Sequence, residues 1–215
     1  KRGCILRVRG GAMAKGPVRS PEEIDTRHQK NAAAKRAIGA LAAKLVRPGQ
    51  TIFIDAGSTT RNIVPHLSNT PDVTIITSSV NVLVEATRLS GITLIVLGGE
   101  YSATSDSFHS YTSISDMENF NFDLAFLGTT GLSIDGGLTT ATFMEAAVKS
   151  TAMRRAKETV VVADQSKFGI RSTSKFANLS EASTIVSDRL PSKEIAAYCQ
   201  TGGIQLITAE TGSEL

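Results

Sequence analysis

At 215 residues, 41% hydrophobic and 20% charged, the chain has the make-up of a globular protein rather than a disordered one. Its formal net charge of +3 is a mild excess that does not by itself indicate nucleic acid. No apolar run approaches the roughly 18–20 residues that cross a bilayer, and no signal peptide is visible, so the expectation is a cytoplasmic protein with no membrane partner. The length suits one large α/β domain or two small ones.

One basic cluster stands out, at Lys1, Arg2, Arg7 and Arg9. No aromatic residue interleaves it, and a solvated terminus explains it as well as DNA contact does. Cys4 and Cys199 lie far apart without metal-ligand spacing and read as free thiols. The start at Lys1, without a methionine, leads us to expect a piece of a longer protein.

Ile5 to Val8 reads as a short strand, with Gly10-Gly11-Ala12 as the loop after it. Ser20-Pro21-Glu22-Glu23 combines a capping hydroxyl, a first-position proline and a glutamate three residues after the cap, which predicts a helix start. That helix is expected to run through the alanine-rich stretch with Ile38, Leu41, Leu45 and Val46 on its apolar side, stopping before Pro48-Gly49. Arg27, His28, Lys30, Lys35 and Arg36 lie along it and are most simply a solvated face, with one or two side chains turned towards a ligand as the alternative.

Thr51 to Ile54 is too short for a helix and reads as a buried strand. Asp55 closes it, Gly57 allows a tight turn, and Ser58, Thr59 and Thr60 open a short helix to about Leu67, with Pro65 inside it. Helix starts carry unpaired N–H groups and a positive dipole end, so this stretch suits an oxyanion such as phosphate; an ordinary Ser/Thr helix cap fits it equally well.

Further strands are expected at Val73 to Ile76, ending in Thr77-Ser78-Ser79, and at Ile92 to Leu97, ending in Gly98-Gly99. Another spans Asp123 to Leu127, before Gly128-Thr129-Thr130-Gly131, and a fifth spans Thr159 to Ala163, before Asp164-Gln165-Ser166-Lys167. Helices are expected at about Val80 to Arg88, weakly at Ser113 to Asn119, and after a long loop (Ser133 to Thr142) up to about Ala156. Thr184 to Val186, a helix from Ser192 to Gln200, and Ile204 to Ile207 complete the series. Tyr101 to Tyr111 reads as an irregular cover. Continuous apolar strands alternating with helices argue for a mostly parallel sheet flanked by helices on both faces.

In such sheets ligands bind beyond the carboxyl ends of the strands. The loops there offer hydroxyls, glycine-rich backbone, the carboxylates Asp55 and Asp164, and the ammonium of Lys167, a set that suits a phosphorylated polyol. Each has a plainer role available: a turn at Gly98-Gly99, a turn cap at Asp164, a solvated Lys167, and helix-dipole pairing at Glu145. No G-x-x-x-x-G-K-[ST] or G-x-G-x-x-G motif is present in the expected place. His28, His66 and His109 are scattered, which supports neither a metal cluster nor a catalytic triad, and no cofactor is expected.

Ile54-Asp55-Ala56-Gly57-Ser58-Thr59-Thr60, Gly98-Gly99, Gly136-Gly137-Leu138-Thr139-Thr140 and Ala163-Asp164-Gln165-Ser166-Lys167-Phe168-Gly169 resemble successive motifs of the DeoR family of bacterial transcriptional regulators. Leu6 to Ala12 resembles the segment where that family's winged helix-turn-helix ends and its effector domain begins. The resemblance implies residues 1–19 as a remnant and linker and 20–215 as an effector domain. It also implies a fold similar to the ribose-5-phosphate isomerase, NagB and CoA-transferase-like group.

By the same resemblance Asp55, Gly57, Ser58, Thr59 and Thr60 form a phosphate loop. Thr77, Ser78, Gly98, Gly99, Gly128, Gly131, Thr139, Asp164 and Lys167 follow as pocket positions. Apart from the resemblance, the place of Glu145 in the first turn of its helix makes it a candidate partner for a ligand hydroxyl. Two stretches depart from the family pattern: Thr77-Ser78-Ser79 stands where Thr-Asn-Ser is common, and Phe108-His109-Ser110 where an apolar residue and glycine are common. The implied function is a non-enzymatic one: the sensor of a repressor of carbohydrate metabolism genes, which binds a phosphorylated sugar and alters operator DNA binding through a helix-turn-helix domain absent from this chain. A homo-oligomer, dimer or tetramer, is implied as well. The alternative is a sugar-phosphate isomerase or related enzyme.

Overall fold

The structure is a computed structural model that describes residues 5–8, 11–14 and 24–209, with side chains from residue 26 onward. The helix-start signal at Ser20 to Glu23, the basic residues Lys1, Arg2 and Arg9, and Cys4 lie outside the described residues. At the amino-terminal end β1 (Ile5–Val8) pairs antiparallel with β2 (Gly11–Ala14), so the expected loop at Gly11-Ala12 belongs to a strand.

The long helix expected through the alanine-rich stretch is two helices, α1 (Ile24–Gln29) and α2 (Ala32–Ala43). The break falls at Asn31, whose φ of 56° is left-handed, a conformation that asparagine tolerates better than most residues. Its side-chain amide donates to Asp164 at 3.0 Å. Lys35, expected on the solvated face, is buried and donates to the Arg27 carbonyl.

The central element is a seven-stranded sheet, every adjacent pair parallel. It contains β3 (Thr51–Ile54), β4 (Val73–Thr77) and β5 (Ile92–Val96). A 3₁₀ helix, Thr60–Leu67 with Pro65 inside it, follows β3, and α3 (Val80–Ala86) follows β4. After β5 comes a hairpin, β6 (Glu100–Ser102) with β7 (Ser107–His109), where an irregular cover was expected. Next are α4 (Tyr111–Met117), β8 (Phe122–Gly128), β9 (Gly131–Ser133), β10 (Gly137–Thr140), α5 (Phe143–Arg155) and β11 (Ala156–Val162). The chain continues through β12 (Ser174–Ala177), β13 (Thr184–Ser187), α6 (Lys193–Thr201) and β14 (Gln205–Thr208).

The strand order is β14-β13-β11-β8-β3-β4-β5. From β3 the chain winds outward through β4 and β5, and from β8 it winds the other way through β11, β13 and β14. Parallel strands buried on both faces need apolar residues at every position, and two clusters divide them. Phe53, Ala125, Leu127 and Val161 face one layer, with α4, α5 and α6. Ile52, Ile54, Leu124, Phe126, Val160 and Val162 face the other, with α2, the 3₁₀ helix and α3.

The stretch from Ser133 to Thr142, expected as one loop, contains β10. It pairs antiparallel with β9 and β12 in a separate three-stranded sheet. Gly131 can enter this sheet because the Ile170 carbonyl oxygen would lie 2.4 Å from any Cβ placed there.

Candidate functional site

The reversal in strand order lies between β3 and β8, where a doubly wound sheet opens a crevice beyond its carboxyl edge. Asp55 sits at that point. Its Oδ2 accepts the Gly128 N–H at 3.0 Å, tying the ends of β3 and β8 together, and forms a buried ion pair with Lys149 of α5. Burial pushes the Asp55 carboxyl above the ordinary carboxylate range, against the pull of Lys149 and the Gly128 N–H.

A cleft lies beside this pair, with about 360 Å³ of unfilled space, solvent at its mouth included. One wall is the turn Ala56-Gly57-Ser58-Thr59, and Gly128-Thr129-Thr130 forms another. Thr140, Glu145 and Lys149 belong to the lining as well, and so do the basic residues Arg27 and Lys167. Glu145 stands one helical turn before Lys149, so both present to the same face of α5. Its N–H caps onto the Thr142 hydroxyl at 3.2 Å, and its carboxylate accepts the Thr140 hydroxyl.

Of the residues singled out from the sequence, Gly57, Ser58, Thr59, Gly128, Glu145 and Lys167 line this cleft, with Asp55 directly beneath. Others brace it. The Thr60 hydroxyl donates to the Asp55 carbonyl at 2.7 Å, and that of Thr77 to the Ile54 carbonyl at 2.6 Å. The Ser78 carbonyl accepts the Phe108 N–H at 2.9 Å, and the Thr139 hydroxyl donates to the Gly131 carbonyl at 2.8 Å. These hydroxyls and carbonyls are engaged within the framework, so their part at the cleft is to hold the loops. The Gly98 carbonyl accepts the Ser113 hydroxyl, and Gly99, at φ 145°, lies against the His109 carbonyl.

Asp164 lines a different groove, with Asn31 and the first residues of α2. Burial raises its carboxyl, but hydrogen bonds from Ser166 and Asn31 and the charge of Lys167 outweigh that and hold it below the usual carboxylate range. Lys167, three residues on in the same turn, faces the first cleft.

The lining also includes Lys149 and Thr140, and Thr129, Thr130 and Arg27, which the sequence reading placed on a ligand-edge loop or on a mostly solvated helix without singling them out as site residues. Lys149 had one usable signal, its i, i+4 spacing from Glu145. Among the described residues no group of three or more His, Cys, Asp or Glu is arranged to hold a metal, and no helix is long and apolar enough to cross a membrane.

Fold and cleft together define a doubly wound α/β domain with a polar cleft at the strand-order reversal. Residues 30–189 match the model of the DeoR C-terminal sensor domain, and the chain belongs to the DeoR family. It is 34% identical to the transcriptional regulator FruR of Bacillus subtilis, over 87% of this chain and 74% of that protein. The repressor GlcR of the same organism is 30% identical, over 96% and 80%. The deoxyribose operon repressor of Escherichia coli K12 is 33% identical, over 80% and 69%. Among solved structures, ribose 5-phosphate isomerase from Plasmodium falciparum aligns with 63% of this chain and 52% of its own at 20% identity, with a TM-score of 0.46.

Proposed function

We propose that residues 20–215 are the effector-sensing part of a DeoR-type repressor of carbohydrate genes, and that the cleft takes a phosphorylated sugar. The observation that carries this reading is the pairing of two chemistries in one cleft. The Gly57-Ser58-Thr59 turn with Arg27 and Lys167 offers an anion donors and positive charge. Thr140, Glu145 and Lys149 offer polyol hydroxyls both donors and acceptors. The relatives named as repressors, one of a deoxyribose operon, support the carbohydrate context.

Occupancy would act by population shift. A ligand that prefers one arrangement of associated subunits changes the spacing of DNA-binding heads on their half-sites, and the coupling is reciprocal. Subunit association and the helix-turn-helix head belong to this proposal. The test is the affinity of the full-length regulator for sugar monophosphates with and without operator DNA. A difference of about 5–150-fold is expected for a coupling of about 1–3 kcal/mol; equal affinities would sink the mechanism.

An isomerase reading has one feature in its favour, the Glu145 carboxylate in the cleft, where isomerisation would require a base. Turnover of ribose 5-phosphate by the domain would favour it over a sensor.

A further inference from the structure

Arg27 is among the residues that line the cleft, and it belongs to α1. That helix is six residues long, and a helix so short depends on contacts outside itself. Its described side chains are Thr26, Arg27, His28 and Gln29, and none of them belongs to the two apolar clusters. The neighbouring α2, by contrast, buries Ile38, Ala42 and Ala43 in one of those clusters.

What holds α1 is polar. The Arg27 carbonyl accepts the buried Lys35 ammonium of α2, and His28 Nε2 lies 3.2 Å from the Asn81 amide nitrogen at the start of α3. At the joint between α1 and α2 the helical ladder is interrupted. The Lys30 N–H closes α1 on the Thr26 carbonyl at 3.2 Å, and the Lys35 N–H opens α2 on the Asn31 carbonyl at 3.0 Å. Asn31, left-handed at φ 56°, is the joint itself. Its amide donates to Asp164 at 3.0 Å, and the Asp164 carbonyl accepts the Lys167 N–H at 3.0 Å. The joint is thereby fastened to the turn that brings Lys167 to the same cleft.

Arg27 also stands ahead of residues 30–189, which match the sensor-domain model. In chain order α1 lies between the β1–β2 pair and that region. The cleft therefore takes one of its basic residues from the segment that leads into the domain.

We propose that α1 is the element that passes occupancy of the cleft to the amino-terminal side of the chain, with Arg27 as the contact. This rests on the cleft being the sugar-phosphate site of a sensor. A phosphate held by the Gly57-Ser58-Thr59 turn and Lys167 on one side and by Arg27 on the other bridges the loops of the sheet and a helix whose own ties are polar. Such a ligand binds the docked arrangement of α1 better than an undocked one, and it shifts that equilibrium by the difference in affinity. Elements that respond in this way come from the low-stability end of a structure. The head of the full-length regulator precedes α1, so docking of α1 biases where the head sits.

Hydrogen exchange of the 215-residue chain tests this, free and saturated with ribose 5-phosphate or glucose 6-phosphate, with binding followed by calorimetry. With an ester that binds, amides 24–31 should exchange about tenfold more slowly or better. Amides 38–43 of α2 should stay as they were in every protein, which controls for folding. Arg27→Ala, at ester concentrations raised to saturation, should leave 24–31 unprotected, whereas saturated Lys167→Ala should still protect them. In the full-length regulator, the ratio of ester affinities with and without operator DNA should fall to within about twofold of one in Arg27→Ala and keep its wild-type value in Lys167→Ala.

A bound ester that leaves 24–31 unchanged in wild type, or protects them equally in Arg27→Ala, overturns this proposal alone. So does a wild-type affinity ratio in Arg27→Ala. Binding of neither ester overturns it together with the sugar-phosphate reading.

Discussion

Lys149 and Asp55 hold the crevice at its base, and both are buried. Removing one partner of such a pair costs about 3–5 kcal/mol, whereas replacing both with neutral groups of similar volume is far milder. Lys149→Met should therefore lower the melting temperature by roughly 6–20 °C at about 2–4 °C per kcal/mol. Asp55→Asn with Lys149→Met should recover much of it. Equal losses in the single and double variants, by calorimetry at pH 7, would show that the pair does not hold the crevice. The deficit should also shrink on acidification. A carboxyl raised in the folded state favours folding while protonated, and that contribution is lost as pH rises through its folded pKa.

Asp164 has the opposite sign. Its carboxyl is held below the usual range, so its contribution is complete above the unfolded value of about 3.9 and is lost as pH falls through the folded pKa. Asp164→Asn should be less stable than wild type at pH 7 and show a shallower loss on acidification below about pH 5. Parallel acid limbs for the two proteins, followed by circular dichroism, would contradict that assignment.

Among the elements, the hairpin β6–β7 depends on Asp106. Its φ of 48° is left-handed, and its carboxylate accepts the Tyr101 hydroxyl at 2.8 Å and the Asn81 amide. Asp106→Ala removes both bonds and leaves a residue less suited to that conformation. Hydrogen exchange at the Phe108 and Val80 amides, both bonded across this junction, should speed up at least tenfold, while the central strands keep their protection. Unchanged exchange at those amides would mean that the hairpin is held by other contacts.

The elements that were legible in the sequence are those that carry their own pattern. Apolar runs such as Thr51 to Ile54 and Thr159 to Ala163 marked strands of the parallel sheet, because burial on both faces demands continuous hydrophobicity. The three-stranded sheet was not legible. Gly131–Ser133 and Gly137–Thr140 are short, glycine-bearing segments that become strands only through pairing, and Ser174–Ala177 lies far along the chain. The break at Asn31 was hidden for a similar reason, since its amide is directed to Asp164, 133 residues away. At the cleft, the Gly57 turn and Lys167 declared themselves by residue type. Arg27 and Lys149 sit on helices where a basic residue ordinarily means a solvated face, and only the packing brings them to the lining.

On the scale of the whole molecule, the loops after β3, β8 and β11, the end of β10 and the helices α1 and α5 meet at a single crevice. There, we propose, a sugar binds through its phosphate. The most direct measurement is calorimetric titration of a panel of sugar monophosphates and their unphosphorylated parents into wild type and Lys167→Ala. At least one phosphate ester should bind while its parent does not. Lys167→Ala should weaken that ester by roughly 10–150-fold, as expected for loss of a charged hydrogen bond of about 1.5–3 kcal/mol. Binding of parent sugars as tightly as their phosphates, or an unchanged affinity in Lys167→Ala, would contradict it.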